Sequence, residues 1–383
     1  MEAIILAGGL GTRLRSVVAD CPKCMAPVAG RPFLEYLLEG LEMQGVTRVV
    51  FSVGYLKERV VEYVQGRDWK FSYDFAVEDT PLGTGGGIRL ALSHCKEDLV
   101  YVLNGDTFFN VDLARLPFAA PVTVALKPMR DFDRYGTVEM SGNLISAFRE
   151  KAPCKAGLIN GGVYAIDRTR LQLSALPESF SFEKEVLEPQ AAAGHVAGQV
   201  SDAYFIDIGV PEDYERVQQE LPELQAVLRA SSAVMATHAQ TLFLDRDGVL
   251  NHLLKGTYVR SWEEFRWMPG MPEAMARWAG KFRHIILVTN QRGVGKGLMT
   301  DEDLSRIHAA MMADILEAGG RLDLILVCTA VSDDDPRRKP QPGMFYEARA
   351  LFPDIDPEGS VMLGDADTDE AFARACGMSF IRI

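Results

Sequence analysis

A two-domain α/β protein, each domain a three-layer arrangement of helices around a mostly parallel sheet, is what this sequence predicts. Three observations carry the prediction. The chain has 383 residues, more than one average domain and enough for two separate cores. Short apolar runs alternate with amphipathic stretches almost throughout, the pattern of α/β layering. That alternation stops at "SSAVMATHAQ", which is small, weakly polar and without a period, and then restarts. The boundaries that follow are residues 1–228, a linker at 229–239, and residues 240–383.

In chain order, the strands of the first domain are read in "EAIILA", "RVVFSV", "LVYVLNGD", "VTVAL", "GGVYAI" and "AYFIDI". Between the first two, "PFLEYLLEGLEMQG" has apolar residues at helical spacing and a closing glycine. "PEDYERVQQELPELQAVLRA" reads as a polar terminal helix interrupted at Pro222. The second domain offers "TLFLD", "HIILVTN", "LDLILV", "SVMLGD" and "SFIRI". The halves share this layering but no repeated motif.

Composition excludes some functions. Forty basic against 53 acidic side chains give a net charge of -13, which argues against nucleic-acid binding. No apolar run is long enough to span a bilayer, and "MEAIILAGG" lacks the layout of a signal peptide. No membrane association is expected, and the cytoplasm is the expected location. Cys21 and Cys24 form a C-x-x-C, but no second cysteine pair completes a zinc set, so the six cysteines are read as reduced and incidental.

"LAGGLGTRLR" follows the first strand. Glycines at Gly8, Gly9 and Gly11 allow a polyphosphate to approach the backbone closely, and Arg13 adds a charge suited to phosphate oxygens. It is neither a Walker loop nor a dinucleotide fingerprint, whose third glycine position is held by Leu14. Downstream come Lys23 in "CPKCMAP", the glycine-rich "EDTPLGTGGG", Asp106 in "LNGD", Glu150 and Lys151 in "FREK", "INGG", and Asp207 in "FIDIGVPEDY". Two carboxylates at separate strand ends suit a hard, oxygen-seeking Mg²⁺.

This ordered set resembles the sugar-1-phosphate nucleotidyltransferases over essentially all of residues 1–220, and within them the heptose 1-phosphate guanylyltransferases. The resemblance implies a Rossmann-like nucleotidyltransferase fold and the following roles. Leu6, Gly8, Gly9, Gly11, Thr12 and Arg13 would hold the triphosphate, with Lys23 at the α-phosphate. Asp106 and Asp207 would hold Mg²⁺. Lys151 would bind the sugar phosphate, while Glu150, Asn160 and Gly162 would line the sugar. Glu78, Gly83 and Thr84 would face the base. Cys24 departs from the "PKPM" common in the family.

"FLDRDGVLN" ends a strand in Asp245 and Asp247. One carboxylate can attack phosphorus, and a second two residues on can move the proton. Thr289 ends another strand with Asn290 beside it, "RRKPQPGM" supplies Arg337, Arg338 and Lys339, and "MLGDADTDEA" supplies Asp365 and Asp369, with Asp365 the expected Mg²⁺ ligand. "GVGKG" is not an ATP loop, because no Ser or Thr follows Lys296.

Strand-end Asp, strand-end Thr, Lys, then Asp resembles the haloacid-dehalogenase-like phosphatases over about residues 241–383, with spacing that leaves no room for a large cap. Within that superfamily, "DRDGVLN", "VTNQ-x-G-x-x-x-G" and "RKP-x-PGM" are similar to motifs of the heptose 1,7-bisphosphate 7-phosphatases and the related histidinol phosphatases. By that resemblance Asp245, Asp247, Thr289 and Lys339 are catalytic. Asp245, Asp247 and Asp365 hold Mg²⁺, and Asn290 and Arg338 contact the sugar phosphate. For Arg337, charge pairing with Asp333–Asp335 on a surface turn is an equal alternative. The zinc loop of those relatives is missing, since Cys328 has no cysteine or histidine after it before "RKP", so no zinc is expected.

Both resemblances point to consecutive steps on one sugar, with GTP and heptose phosphates as the small-molecule partners. Two alternatives stand beside this: other substrates, such as a hexose or uridylyl route, or a second domain that regulates without catalysis. The sequence leaves oligomerisation open.

Overall fold

The computed structural model describes residues 1–9 and 21–383, and the chain divides into two compact units, Met1–Leu221 and Pro222–Ile383. Gly11, Thr12 and Arg13 lie outside the described residues.

The first unit is built on a nine-stranded sheet. Its parallel part has Glu2–Leu6 at the centre, flanked by Arg48–Val53 and Leu99–Asn104, with Ser72–Val77 at the edge. Ala3, Ile4 and Ile5 are fully buried, as a strand covered on both faces requires. The rest of the sheet is mainly antiparallel, so the mostly parallel expectation holds only for one part of it. Cys154–Asp167 pairs antiparallel with both Leu99–Asn104 and Val122–Phe132. The strands Gly136–Ser141 and Leu144–Lys151 form a hairpin that the sequence reading did not contain. Their polar, charge-rich sequence masks the alternation that a half-buried strand depends on.

The second unit has a five-stranded sheet, parallel throughout. Its order is Leu324–Cys328, His284–Asn290, Thr241–Leu244, Ser360–Gly364, Ser379–Arg382. Leu242 to Leu244, Ile285 to Val288 and Val361 to Leu363 are all fully buried. The carboxyl ends of the three inner strands therefore open onto the same edge, where α/β sheets bind their ligands.

The segment read as a linker differs in the structure. Pro211–Ala236 is one helix that continues through Pro222. Val227, Ala230 and Val234 bury into the core of the second unit, so most of residues 229–239 is packed helix. Small residues such as Ala and Ser look like a loop in sequence, yet they also permit close helix packing. Among the described residues, no helix is long and apolar enough to cross a membrane.

Candidate active sites

In the first unit, the strand Glu2–Leu6 delivers the glycine loop at its carboxyl end. The amide of Ala7 donates to Ser52 O at 2.8 Å and that of Gly105 to Leu6 O at 3.0 Å, which joins the loop to two neighbouring strands. Glu78 sits beside it: its carboxylate accepts from Ser52 Oγ at 3.0 Å and from the Leu82 amide at 3.1 Å. A Cβ on Gly8 would lie 3.0 Å from Glu78 Oε1, whereas a Cβ on Gly9 would meet nothing within 4 Å among the described residues. Gly8 is thus packed against Glu78.

The second glycine-rich stretch is not an open turn for a base. It forms the start of the helix Gly83–His94. Gly83 has φ +69°, and a Cβ there would stand 2.6 Å from Phe180 O; one on Gly85 would strike the Phe180 ring. The Thr84 hydroxyl accepts from the Phe182 amide at 2.9 Å. Gly83, Gly85 and Gly86 thus leave room for residues 178–180.

Asp106 and Asp207 do come together. Antiparallel pairing of Phe205–Asp207 with Thr107–Phe109 puts Asp207 opposite Thr107, next to Asp106. Lys23 Nζ lies 2.6 Å from Asp106 Oδ2 and 3.3 Å from Asp207 Oδ1. Burial raises the Asp207 carboxyl, and the charge of Asp106 adds to it, against the pull of Lys23. Hard oxygen donors that already attract a cation to the point between them fit Mg²⁺.

On the sugar side, Lys151 ends its strand exposed and makes no ion pair among the described residues. Glu150 is exposed beside it. Asn160 accepts from the Gly162 amide at 3.0 Å and donates to the Tyr164 hydroxyl at 2.9 Å. Gly162 adopts φ +71° over Asn104. Asn160 Nδ2 also approaches Glu183 Oε1 at 3.4 Å. The sequence reading passed over Glu183, which lies in a charged stretch with no strand-end or glycine signal.

In the second unit, Lys339 is buried between two carboxylates, 2.8 Å from Asp245 Oδ1 and 2.6 Å from Asp369 Oδ1. Asp245, Asp365 and Asp369 present oxygens within 4.8 Å of one another. A Cβ on Gly248, at φ +86°, would overlap the Asp365 carboxylate, so only glycine lets it in. Burial pushes Asp245 up to about 7; Lys339 opposes this and Asp369 adds to it. Three clustered carboxylates are a fitting set of hard oxygen donors for Mg²⁺.

The Asp247 carboxylate stands outside that group. It accepts from Arg246 Nη2 at 2.8 and 2.9 Å, from Asn251 Nδ2 at 2.9 Å and from Gln291 Nε2 at 2.8 Å. Burial would raise its carboxyl, but these donors, led by the Arg246 charge, hold it below the usual carboxylate range. Among the described residues, Asp369 and not Asp247 brings a carboxylate oxygen beside those of Asp245 and Asp365. The Asn290 amide brackets the Lys339 backbone: Nδ2 donates to Lys339 O and Oδ1 accepts from Lys339 N, both at 3.1 Å.

The Thr289 hydroxyl is buried and accepts from Gln291 Nε2 at 2.9 Å, so Gln291 ties Thr289 to Asp247. Gln291 was missed, although it directly follows the Thr–Asn pair. Arg338 points its Nε at Asp333 Oδ1, 3.2 Å away, and Arg292 contacts the same carboxylate. Arg337 pairs with Glu347 at 2.7 Å, and its amide, not its side chain, reaches Asp335.

A strand-end glycine loop beside paired carboxylates, and a strand-end aspartate beside a buried lysine, define two phosphate-handling enzymes in one chain. The chain belongs to the nucleotidyl transferase family, which matches residues 2–223, and residues 336–383 match the HAD-hydrolase-like family. The first unit is similar to the D-glycero-α-D-manno-heptose 1-phosphate guanylyltransferase of Aneurinibacillus thermoaerophilus: 46% identity over 226 residues, 58% of this chain and 98% of the relative. It is also similar to the crystal structure of HddC from Yersinia pseudotuberculosis complexed with GMP-PN. That likeness has a TM-score of 0.52 and 35% identity, covering 57% of this chain and 98% of that one. The second unit is similar to the D-glycero-α-D-manno-heptose-1,7-bisphosphate 7-phosphatase of Mycobacterium tuberculosis, with 38% identity over 138 residues, 36% of this chain and 73% of the relative. A nucleotidyltransferase domain and a haloacid-dehalogenase-like domain are thus fused.

Proposed function

We propose that the chain carries out two consecutive reactions: hydrolysis of the 7-phosphate of D-glycero-α-D-manno-heptose 1,7-bisphosphate, then transfer of GMP from GTP to the resulting heptose 1-phosphate. The products are phosphate, pyrophosphate and GDP-D-glycero-α-D-manno-heptose. The observation that carries this reading is that each unit, taken alone, has relatives named for the same heptose, at adjacent steps. Residues 240–383 would perform the hydrolysis and residues 1–228 the transfer, in the cytoplasm where GTP is supplied.

In hydrolysis, an Asp245 oxygen attacks phosphorus and the bond to the C7 oxygen breaks. The C7 oxygen takes a proton that Asp247 relays from solvent; the Asp247 carboxylate then takes one from the water that cleaves the aspartyl phosphate and returns it to solvent. Lys339 and the Thr289 hydroxyl hold the phosphoryl group. In transfer, an oxygen of the heptose 1-phosphate attacks the α-phosphorus of GTP and the bond to pyrophosphate breaks. Arg13, Lys23 and Lys151 offset the charge, so alignment does most of the work. Mg²⁺ held by Asp245, Asp365 and Asp369, and by Asp106 and Asp207, would supply further neutralisation at the phosphate oxygens.

Phosphorus NMR of the chain with Mg²⁺, GTP and the bisphosphate tests this directly. Loss of the 7-phosphate signal followed by a GDP-sugar diphosphate pair is expected. Survival of the bisphosphate, with supplied heptose 1-phosphate still converted, would remove the phosphatase half of the reading.

A further inference from the structure

We infer that Glu183 reads the sugar in the transfer site, its carboxylate accepting hydrogen bonds from ring hydroxyls of the sugar phosphate whose phosphate Lys151 holds. The inference rests on the transferase reading above.

Three observations place Glu183 there. Its Oε1 lies 3.4 Å from Asn160 Nδ2, and Asn160 is committed on its other side to the Gly162 amide and the Tyr164 hydroxyl. The pair thus presents an acceptor-rich edge that is complementary to hydroxyl donors. Glu183 also opens a five-residue π-helical turn, Glu183–Leu187, a rare geometry found preferentially at functional sites. Finally, the segment before it is fixed from several directions. Phe180 exchanges backbone hydrogen bonds with Leu82 and Gly85, the Phe182 amide donates to Thr84, and the Phe182 ring packs edge-on against Tyr164 at 5.5 Å. The glycines of "LGTGGG" exist in this fold to admit that segment, which makes them the support of the carboxylate at its end.

The electrostatics agree. Glu183 is exposed. Its carboxyl is pushed up by the protein around it, against the attraction of Lys151. A phosphate dianion is repelled from Glu183 and drawn to Lys151, while neutral hydroxyls suit the carboxylate. Between them the two side chains orient the sugar, phosphate to one side and ring hydroxyls to the other.

The test compares wild type and Glu183→Gln with heptose 1-phosphate and its monodeoxy analogues, using GTP and Mg²⁺. Glutamine keeps the size but loses the charge and one acceptor. The KM for heptose 1-phosphate should rise on the order of ten- to a hundredfold, the scale of a charge-assisted hydrogen bond. The KM for GTP should stay within about twofold, and discrimination against one deoxy analogue should disappear. An unchanged sugar KM, or equal rises in both KM values, would overturn the inference. Should the variant fold poorly, the deoxy panel on wild type decides: equal use of every analogue refutes hydroxyl reading. If wild type ignores heptose 1-phosphate but uses another sugar 1-phosphate, the substrate assignment fails alone and the same comparison is made with that sugar.

Discussion

Asn290 holds Lys339 by its backbone, donating to its carbonyl and accepting from its amide, both at 3.1 Å. The ammonium of that lysine is the only cation between Asp245 and Asp369 among the described residues. A residue at the end of one strand thereby sets where the charge from a distant loop arrives. Asn290→Ala should lower kcat for phosphate release about 10- to 100-fold, the loss that accompanies misplacement of a reacting group by about 1 Å. The KM for the bisphosphate should barely move. Steady-state kinetics check this, and a raised KM with unchanged kcat would mean that Asn290 touches the sugar after all.

Gly85 is the second point of leverage. A methyl group there would come 2.1 Å from Phe180 Cε2, and Phe180 is buried. Overpacking of this kind costs about 1–3 kcal/mol. Gly85→Ala should therefore lower the urea midpoint of the first unit and raise the KM for the sugar phosphate, since residues 180–183 must shift. A stable variant with normal kinetics would show that the segment adapts without consequence.

Both cases mark where the sequence was legible and where it was not. Strand-end aspartates could be placed because a buried apolar run followed by a carboxylate has one geometric outcome in a parallel sheet. Asp106, Asp245 and Asp365 came out that way, whereas Asp207 ends a strand of an antiparallel pair. The glycines of "LGTGGG" announced a close approach without saying to what, and the partner, Phe180, lies about a hundred residues on. Asn290, Asp247 and Asp369 could be recognised as polar residues near a site. Their assignments depended on which donors surround each carboxylate or amide, which is a property of the packed fold. The hairpin of residues 136–151 and the helical "SSAV" failed for a third reason: their local composition argued for something else, and packing overrode it.

His308 offers a pH prediction away from the metal carboxylates. Its ring faces Arg246, with Nε2 3.4 Å from Nη1, and Asp247 lies beyond. Burial pushes its pKa down from 6.5 to about 4; the Arg246 charge adds to this and Asp247 opposes it. The folded form thus disfavours the protonated ring, so the unfolded chain binds more protons between these values. Stability from this group is complete above about pH 6.5 and is lost as pH falls toward 4, by roughly 3 kcal/mol at most. His308→Gln should flatten the acid limb of the urea midpoint against pH in that window. Equal slopes for the two proteins would show that His308 is accessible to protonation in the fold.

The two sites should be separable by single substitutions, because each set of charges is self-contained. Asp245→Asn removes the attacking carboxylate but keeps the side chain's shape, so phosphate release should fall on the order of a thousandfold or more. Transfer from supplied heptose 1-phosphate should be unaffected within about twofold. Asp207→Asn should do the reverse: bisphosphate is still hydrolysed, but heptose 1-phosphate accumulates because the carboxylate pair around Lys23 is broken. Mixing the two variants then isolates what fusion contributes. If the intermediate diffuses freely, the mixture should match wild type at equal site concentrations, with the same lag before GDP-sugar appears. A longer lag in the mixture than in wild type, shrinking as enzyme concentration rises, would mean that the shared chain raises the effective concentration of one site's product at the other. Equal lags at every concentration would leave co-regulated supply of two activities as the reason for their fusion.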